Sequence, residues 1–218
     1  MIHELGAGNT IFNQFLSELR DSSVQKDSLR FRLNLQRIGE IFAYEISKEL
    51  NYVPTKVSTP LGMLEMNLMN DQPVLATILR AGLPLHQGLL NYFDKADSAF
   101  VSAYRKYSKN ENFTIKLDYI SSPNIDGRVL IVSDPMLATG GSLVASIRGL
   151  YEKGTPKHTH VVCALASDEG IARVKRAFTF KNLTLWIGAI DVELTAKAFI
   201  VPGLGDAGDL AYGRKDDI

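Results

Sequence analysis

One cysteine, Cys163, is all that this chain of 218 residues carries, which excludes an internal disulfide. It sits in the apolar run Val161-Val162-Cys163-Ala164-Leu165 and reads as a buried structural thiol rather than a catalytic one. An excess of one charge is missing too: Lys and Arg number 24, Asp and Glu 24. That balance, with nothing polybasic, argues against nucleic acid as the main partner. No segment approaches the roughly 18 uninterrupted apolar residues of a membrane span, and no basic stretch leads into an apolar one after Met1-Ile2-His3-Glu4. Internal repeats and low-complexity linkers are absent as well. The expectation is a soluble, cytoplasmic protein with neither membrane nor nucleic acid as partner.

What is present suits one α/β domain over residues 1–218, since hydrophobic residues make up 45%, enough for a core. Thr10 to Leu19 and Ser28 to Leu50 have helical character. The second has Leu29, Leu33, Ile41, Phe42 and Ile46 as its apolar side, with Pro54 ending the helical region. Buried strands are predicted at Pro73 to Leu79, Val129 to Val132, His160 to Leu165 and Leu183 to Ile190. Helices are predicted from Pro84 to about Phe93, over Leu143 to Lys153 and over Asp168 to Phe178. Strands and helices alternate in crossover-sized units, so the predicted architecture is a mostly parallel sheet with helices on both faces. Val57 to Met69 carries Met63, Met66 and Met69; strand or core packing there outweighs a metal-binding methionine box. His158 and His160 could suit a metal by spacing, but no carboxylate or cysteine neighbours them in sequence. His86, on the helix after Arg80, reads as packed or solvated.

The most informative stretch is Val129 to Gly154, which reads as strand, loop, helix. Asp134 is delivered at the strand's carboxyl end, Pro135 stiffens the exit, and Ser142 is the expected N-cap of a helix that stops at Gly154. Between them, Thr139-Gly140-Gly141-Ser142 places small residues where the chain enters a helix. Backbone N–H groups can then face an anion with no side chain intervening, a phosphate cradle. A carboxylate beside such a cradle suits sugar hydroxyls or a metal-bound diphosphate, so the pair points to a phosphorylated sugar. An ordinary glycine-rich turn accounts for the spacing equally well, and no lysine follows the glycines as a Walker A loop requires.

Arg80-Ala81-Gly82 turns another strand into a helix at the same sheet edge, where open α/β sheets bind ligands. A surface arginine is the plainer reading of Arg80 alone. Ser98 to Tyr104, then Arg105-Lys106-Tyr107, the polar tip Ser108 to Asn112 and Phe113 to Ile120 make either a lid or a solvated hairpin. Near the C-terminus, Gly203-Leu204-Gly205-Asp206-Ala207-Gly208 fits the dinucleotide fingerprint. Too few residues follow for the helix, strand and distant acid that fingerprint needs.

Asp134-Pro135-Met136-Leu137-Ala138-Thr139-Gly140-Gly141-Ser142 resembles the phosphoribosyl-diphosphate (PRPP) loop of uracil phosphoribosyltransferases. Ile78 to Gly82 and Pro202 to Asp209 match two further segments of that family, in the family's order. The resemblance implies a type I phosphoribosyltransferase fold with a small hood from N- and C-terminal segments, Val57 to Met69 among them. It implies conversion of uracil and PRPP to UMP and diphosphate. PRPP would be bound by Arg80, Arg105, the loop Asp134 to Ser142 and Asp206, and uracil by Ile200, Gly205, Asp206 and Ala207. Asp134, Asp206 and Arg105 are the candidate catalytic residues, with Mg²⁺ held mainly through PRPP and no metal ligand assigned to the protein. A homo-oligomer, dimer or tetramer, is implied, with GTP as a candidate allosteric activator.

Uracil offers alternating donors and acceptors that backbone groups of a glycine-rich loop can match. Lack of a positive side chain there disfavours orotate. The chain departs from the family pattern in three places: Ser133 where many members have an acid, Pro84 where glycine is common, and the tail Leu210 to Arg214. Another nucleobase as substrate, or a phosphoribosyl-binding regulator acting on RNA or DNA, are the competing readings.

Overall fold

Buried runs such as Val74 to Leu79, apolar in both pleat directions, can be satisfied only by a sheet covered on both faces. The computed structural model describes residues 1–107 and 113–215, and the side chains of 104–107 and 113–116 lie outside that description. In chain order come β1 (Ile2–Glu4), α1 (Ile11–Arg20), α2 (Ser28–Ser47) and the pair β2 (Tyr52–Thr59) and β3 (Gly62–Met69). Then follow β4 (Val74–Leu79), α3 (Leu83–Leu90), β5 (Asp97–Tyr107), β6 (Phe113–Ser121), β7 (Val129–Ser133), β8 (Met136–Leu137) and α4 (Gly141–Tyr151). The chain closes with β9 (His158–Ser167), α5 (Asp168–Ala177), β10 (Leu183–Asp191), β11 (Glu193–Leu194), β12 (Ile200–Val201) and α6 (Ala207–Tyr212).

The main sheet runs β1-β10-β9-β7-β4-β5-β6, with β8 beside β9. Every pairing in it is parallel except β5 with β6. The predicted architecture is thus observed, with one antiparallel edge. Alternate residues of β4 feed two cores. Leu75 joins Phe12, Leu35, Phe42 and Leu85 under α1, α2 and α3, whereas Val74, Ala76 and Ile78 join Leu143, Ile147 and Ile171 under α4 and α5. The C-terminal Ile200, Leu204, Ala207 and Ala211 enter the first of these cores, so N- and C-terminal segments pack together.

Local chemistry explains most boundaries and several departures. Thr10 caps α1 by accepting from Phe12 N at 3.3 Å, and Asp27 caps α2 by accepting from Arg30 N at 3.0 Å. The buried stripe of α2 runs through Phe31, Leu35, Ile38, Phe42 and Ile46; Leu29 and Leu33, expected on it, are exposed on another flank. Packing against α1 and α3 selects the stripe with the aromatic residues and leaves those two leucines over an open groove. The helix ends at Ser47 through bonds such as Glu49 N to Ile46 O, not at Pro54. Pro54 lies inside β2 opposite Asn67, on an isolated two-stranded ribbon that tolerates its missing N–H. All three methionines lie on β3; Met63 and Met66 are 65% and 48% exposed, whereas Met69, at the end of the strand, packs against the core. At α4 the N-cap is Gly140, in the left-handed region at φ +73°, and Ser142 stands one residue inside the helix. Three residues of β1 form a further parallel edge, Ile2 opposite Leu185, too short to be read from periodicity.

The histidine pair on β9 is structural. His160 is buried and accepts from Trp186 Nε1 at 3.0 Å, and burial holds it down at about 3. His3 stacks on the same indole at 4.2 Å. His86 is buried with Nε2 at 3.2 Å from Ser98 Oγ, its basicity pulled down to about 4 by burial.

The placement of α3, and with it the Arg80 turn, rests on a backbone contact. A Cβ on Gly88 would lie 2.1 Å from Gln36 O and 2.9 Å from Gly39 Cα, so α2 and α3 touch main chain to main chain. Alanine in an open helix gains about 1 kcal/mol over glycine, whereas here it must force the helices apart. Gly88→Ala is expected to destabilise the fold by about 1–3 kcal/mol, read as a lower urea midpoint at unchanged slope.

Candidate active site

β4 is followed by α3 on one face and β7 by α4 on the other, and the chain then moves toward opposite edges of the sheet. Two such neighbouring strands leave a crevice beyond their carboxyl ends. Arg80 and Asp134 both stand there, each one residue past its strand.

On the β4 side the turn is built tightly. A Cβ at Gly82 would lie 2.2 Å from Thr77 Oγ1 and 2.7 Å from Ile78 O, so only glycine fits. Pro84 occupies the first turn of α3, where a missing N–H costs nothing. Arg80 reaches the C-terminal segment, its Nη2 donating to Gly213 O at 3.2 Å and lying 3.4 Å from Asp209 Oδ1. Its Nε is buried with no partner. A guanidinium held at one end with a donor left open is suited to an anion.

On the β7 side, Ser133 is buried inside the sheet and donates to Ala76 O at 3.2 Å. An acid at that place would be an unpaired buried charge. Asp134, next along, has one oxygen accepting from Met136 N at 3.3 Å, and burial pushes its carboxyl up to about 7. The loop that follows is clamped from β9 and α5: Ser167 Oγ donates to Ala138 O at 2.6 Å, and a Cβ at Gly170 would lie 2.4 Å from the same oxygen. Gly140 turns the chain into α4, whose first helical bond runs from Val144 N to Gly140 O. The amides of Gly141, Ser142 and Leu143 therefore face outward at the positive end of the helix. Leu137 packs its side chain into the core and Pro135 is buried, so of the loop's residues these two offer main chain only.

The C-terminal loop closes the opposite wall. A cleft of about 170 Å³ is lined by Ala81, Asp134, Met136 and Ala138 from the two strand-end loops and by Ala198 to Ile200 and Gly205 to Gly208. Ile200, Gly205, Asp206 and Ala207 thus line one cleft with Asp134. Asp206 spends one oxygen capping α6, accepting from Asp209 N at 2.9 Å. Arg105 has its main chain on β5 opposite Ile115, but its side chain and the tip Ser108 to Asn112 lie outside the described residues. The β2–β3 pair contributes no residue to the lining of this cleft.

Sequence reasoning missed Arg20, Asp191 and Asp209. Arg20 and Asp191 form a bidentate pair at 2.8 and 2.9 Å beside Gly203. Asp191 had a signal: it ends β10 just as Asp134 follows β7.

The family model for uracil phosphoribosyltransferase matches residues 8–214. A uracil phosphoribosyltransferase from Porphyromonas gingivalis is 52% identical over 215 residues, covering 99% of both chains. Among solved structures, the AQ2163 protein from Aquifex aeolicus superposes with a TM-score of 0.85 at 29% identity, covering 98% of each chain. A hypoxanthine phosphoribosyltransferase from Staphylococcus aureus shares the fold at a TM-score of 0.50 and 12% identity, over 85% of this chain and 83% of that one. This chain belongs to the uracil phosphoribosyltransferase family.

Proposed function

We infer that the protein transfers the phosphoribosyl group of PRPP to uracil, releasing UMP and diphosphate in pyrimidine salvage. The observation that carries this reading is the meeting of three parts at one crevice: an outward-facing helix N-terminus, a carboxylate beside it, and a glycine-rich loop across a cleft sized for a flat ring.

In this reading the amides of residues 138 to 142 hold the 5′-phosphate and Asp134 the ribose hydroxyls, while Arg80, with its open Nε, and Arg105 hold the diphosphate. As the bond from C1 to the diphosphate oxygen breaks, positive charge grows on the ribose, and Asp134 and Asp206 are the carboxylates beside it. A uracil nitrogen, gripped by main chain at Ile200 and Gly205 to Ala207, then forms the new bond to C1 and gives its proton to solvent. Bringing two substrates together in this order supplies much of the rate. Around the cleft the acids are few, and no cluster of three metal-ligating side chains occurs among the described residues. That donor set suits a hydrated Mg²⁺ ion arriving on the diphosphate, where it would neutralise the leaving group. Cys163, buried and unpaired, agrees with a reducing, cytoplasmic setting. No helix among the described residues is long and apolar enough to cross a membrane.

The β2–β3 pair supports a homo-oligomer. Leu61, Met63, Leu64, Met66 and Leu68 are all exposed, and neighbours such as Met63 and Leu64 point to opposite faces, so both sides of the ribbon present apolar surface. An isolated two-stranded ribbon is marginal in water, and a second copy of the chain is the partner always at hand.

Uracil with PRPP and Mg²⁺ should give UMP, while orotate, adenine and hypoxanthine should not; nucleotide formation from another base instead would overturn the substrate assignment. Asp134 is expected to bind PRPP as the carboxylate, so kcat/KM for PRPP should climb as pH rises through about 7. Asp134→Asn should flatten that profile and lower turnover about a hundredfold. Because the folded protein holds this proton above the ordinary 3.8, the acid weakens folding progressively as pH rises between these values. The Asn variant should therefore melt above the wild type at pH 8 and level with it at pH 4. Finally, light scattering should find a dimer or tetramer that Leu64→Lys with Met66→Lys shifts toward monomer.

A further inference from the structure

The base-binding loop is gripped at a point that does not itself touch the cleft. Arg20, the last residue of α1, presents its guanidinium as a fork to Asp191, the last residue of β10, with Nη1 at 2.8 Å from Oδ2 and Nη2 at 2.9 Å from Oδ1. Both side chains are largely withdrawn from solvent, 23% and 8% exposed. Asp191 Oδ2 also accepts from Gly203 N at 2.9 Å, and Arg20 Nη1 donates to Gly203 O at 3.3 Å. One peptide residue is thereby held through both of its main-chain groups by one ion pair.

Gly203 is where such a grip has leverage. It sits at φ +57°, and a Cβ there would lie 2.0 Å from Ile200 O, so the chain reverses tightly between Ile200 and Gly203. Ile200, before the reversal, and Gly205 to Ala207, after it, line the cleft opposite Asp134, whereas Arg20, Asp191 and Gly203 do not. The anchor points themselves are firm. Asp191 pairs with Ser167 in the parallel sheet, and Gln25 closes the end of α1 by donating to Leu19 O and Arg20 O.

We propose that Arg20 and Asp191 are positioning residues for the base: the ion pair sets the height of the Ile200–Ala207 main chain over the ribose site, and so sets affinity and alignment for uracil while leaving the phosphate and diphosphate contacts of PRPP, at residues 138 to 142 and Arg80, untouched. The proposal rests on the uracil assignment made above. It follows from chemistry that a loop recognising a base by main-chain groups has no long side chains to adjust, so its backbone must be placed from outside.

Asp191→Asn and Arg20→Lys test it. The asparagine keeps the shape, but whichever way its amide turns its NH₂ faces a guanidinium N–H, so one bond is lost with the NH₂ in the place of Oδ1 and two, Gly203 N–H included, with it in the place of Oδ2. Lysine keeps the charge but not the fork. Steady-state kinetics with each substrate varied separately should show the uracil KM raised about tenfold or more in Asp191→Asn, with a smaller rise in Arg20→Lys and the PRPP KM unchanged in both. A purely structural role would instead lower melting temperature and worsen both substrates together, and that pattern, or an unchanged uracil KM, would overturn the proposal. The wild type is assayed alongside. If it fails to turn over uracil, the functional reading falls and the clamp with it; if it succeeds, the two variants judge the clamp alone.

Discussion

The site depends on a constraint of sheet topology: β4 and β7 lie side by side and parallel, yet their helices leave to opposite faces. No connection can then cover the gap between their carboxyl ends. Arg80 and Asp134 fall into that gap because each is the first residue after its strand. The same reversal puts α4's N-terminus on the crevice, since α4 begins one short loop after β7.

Around this crevice the backbone is held by close approaches rather than by large side chains. Gly82 against Thr77, Gly170 against Ala138, Gly88 against Gln36 and Gly203 against Ile200 are all places where a methyl group would collide with main chain or a buried hydroxyl. Contacts of that kind leave little slack. They let loops carrying few functional side chains present amides at fixed positions, which is what binding a phosphate or a flat base through main chain demands. Two arginines extend the arrangement to the C-terminal segment. Arg20 holds Gly203, and Arg32 donates to Ala211 O at 2.7 Å, so the segment is slung between the ends of the N-terminal helices.

Much of this was legible in the residues. Unbroken aliphatic runs announced the buried strands, and the Thr139 to Ser142 segment announced a helix entry with open amides. Arg80 and Asp134 could be placed at a sheet edge without coordinates. The failures share a cause. Leu29 and Leu33 carry helical spacing as good as that of Phe31 and Leu35, and only the neighbours α1 and α3 choose between the two stripes. Ser142 has the chemistry of a cap, but the left-handed turn at Gly140 moves the helix start ahead of it.

The sequence by itself determined the local elements, the phosphate-type loop and the order of the three family segments, because each is written in contiguous residues whose spacing and size fix their backbone. Only the tertiary structure decided what meets what. Asp191 and Arg20 are 171 residues apart, and Arg80 finds Gly213 across 133. Ser133's missing charge makes sense only once it is seen buried in β7 against the neighbouring strand β4. Pairings over such separations are set by the packing of the whole sheet and its helices, a property that no local window of residues contains.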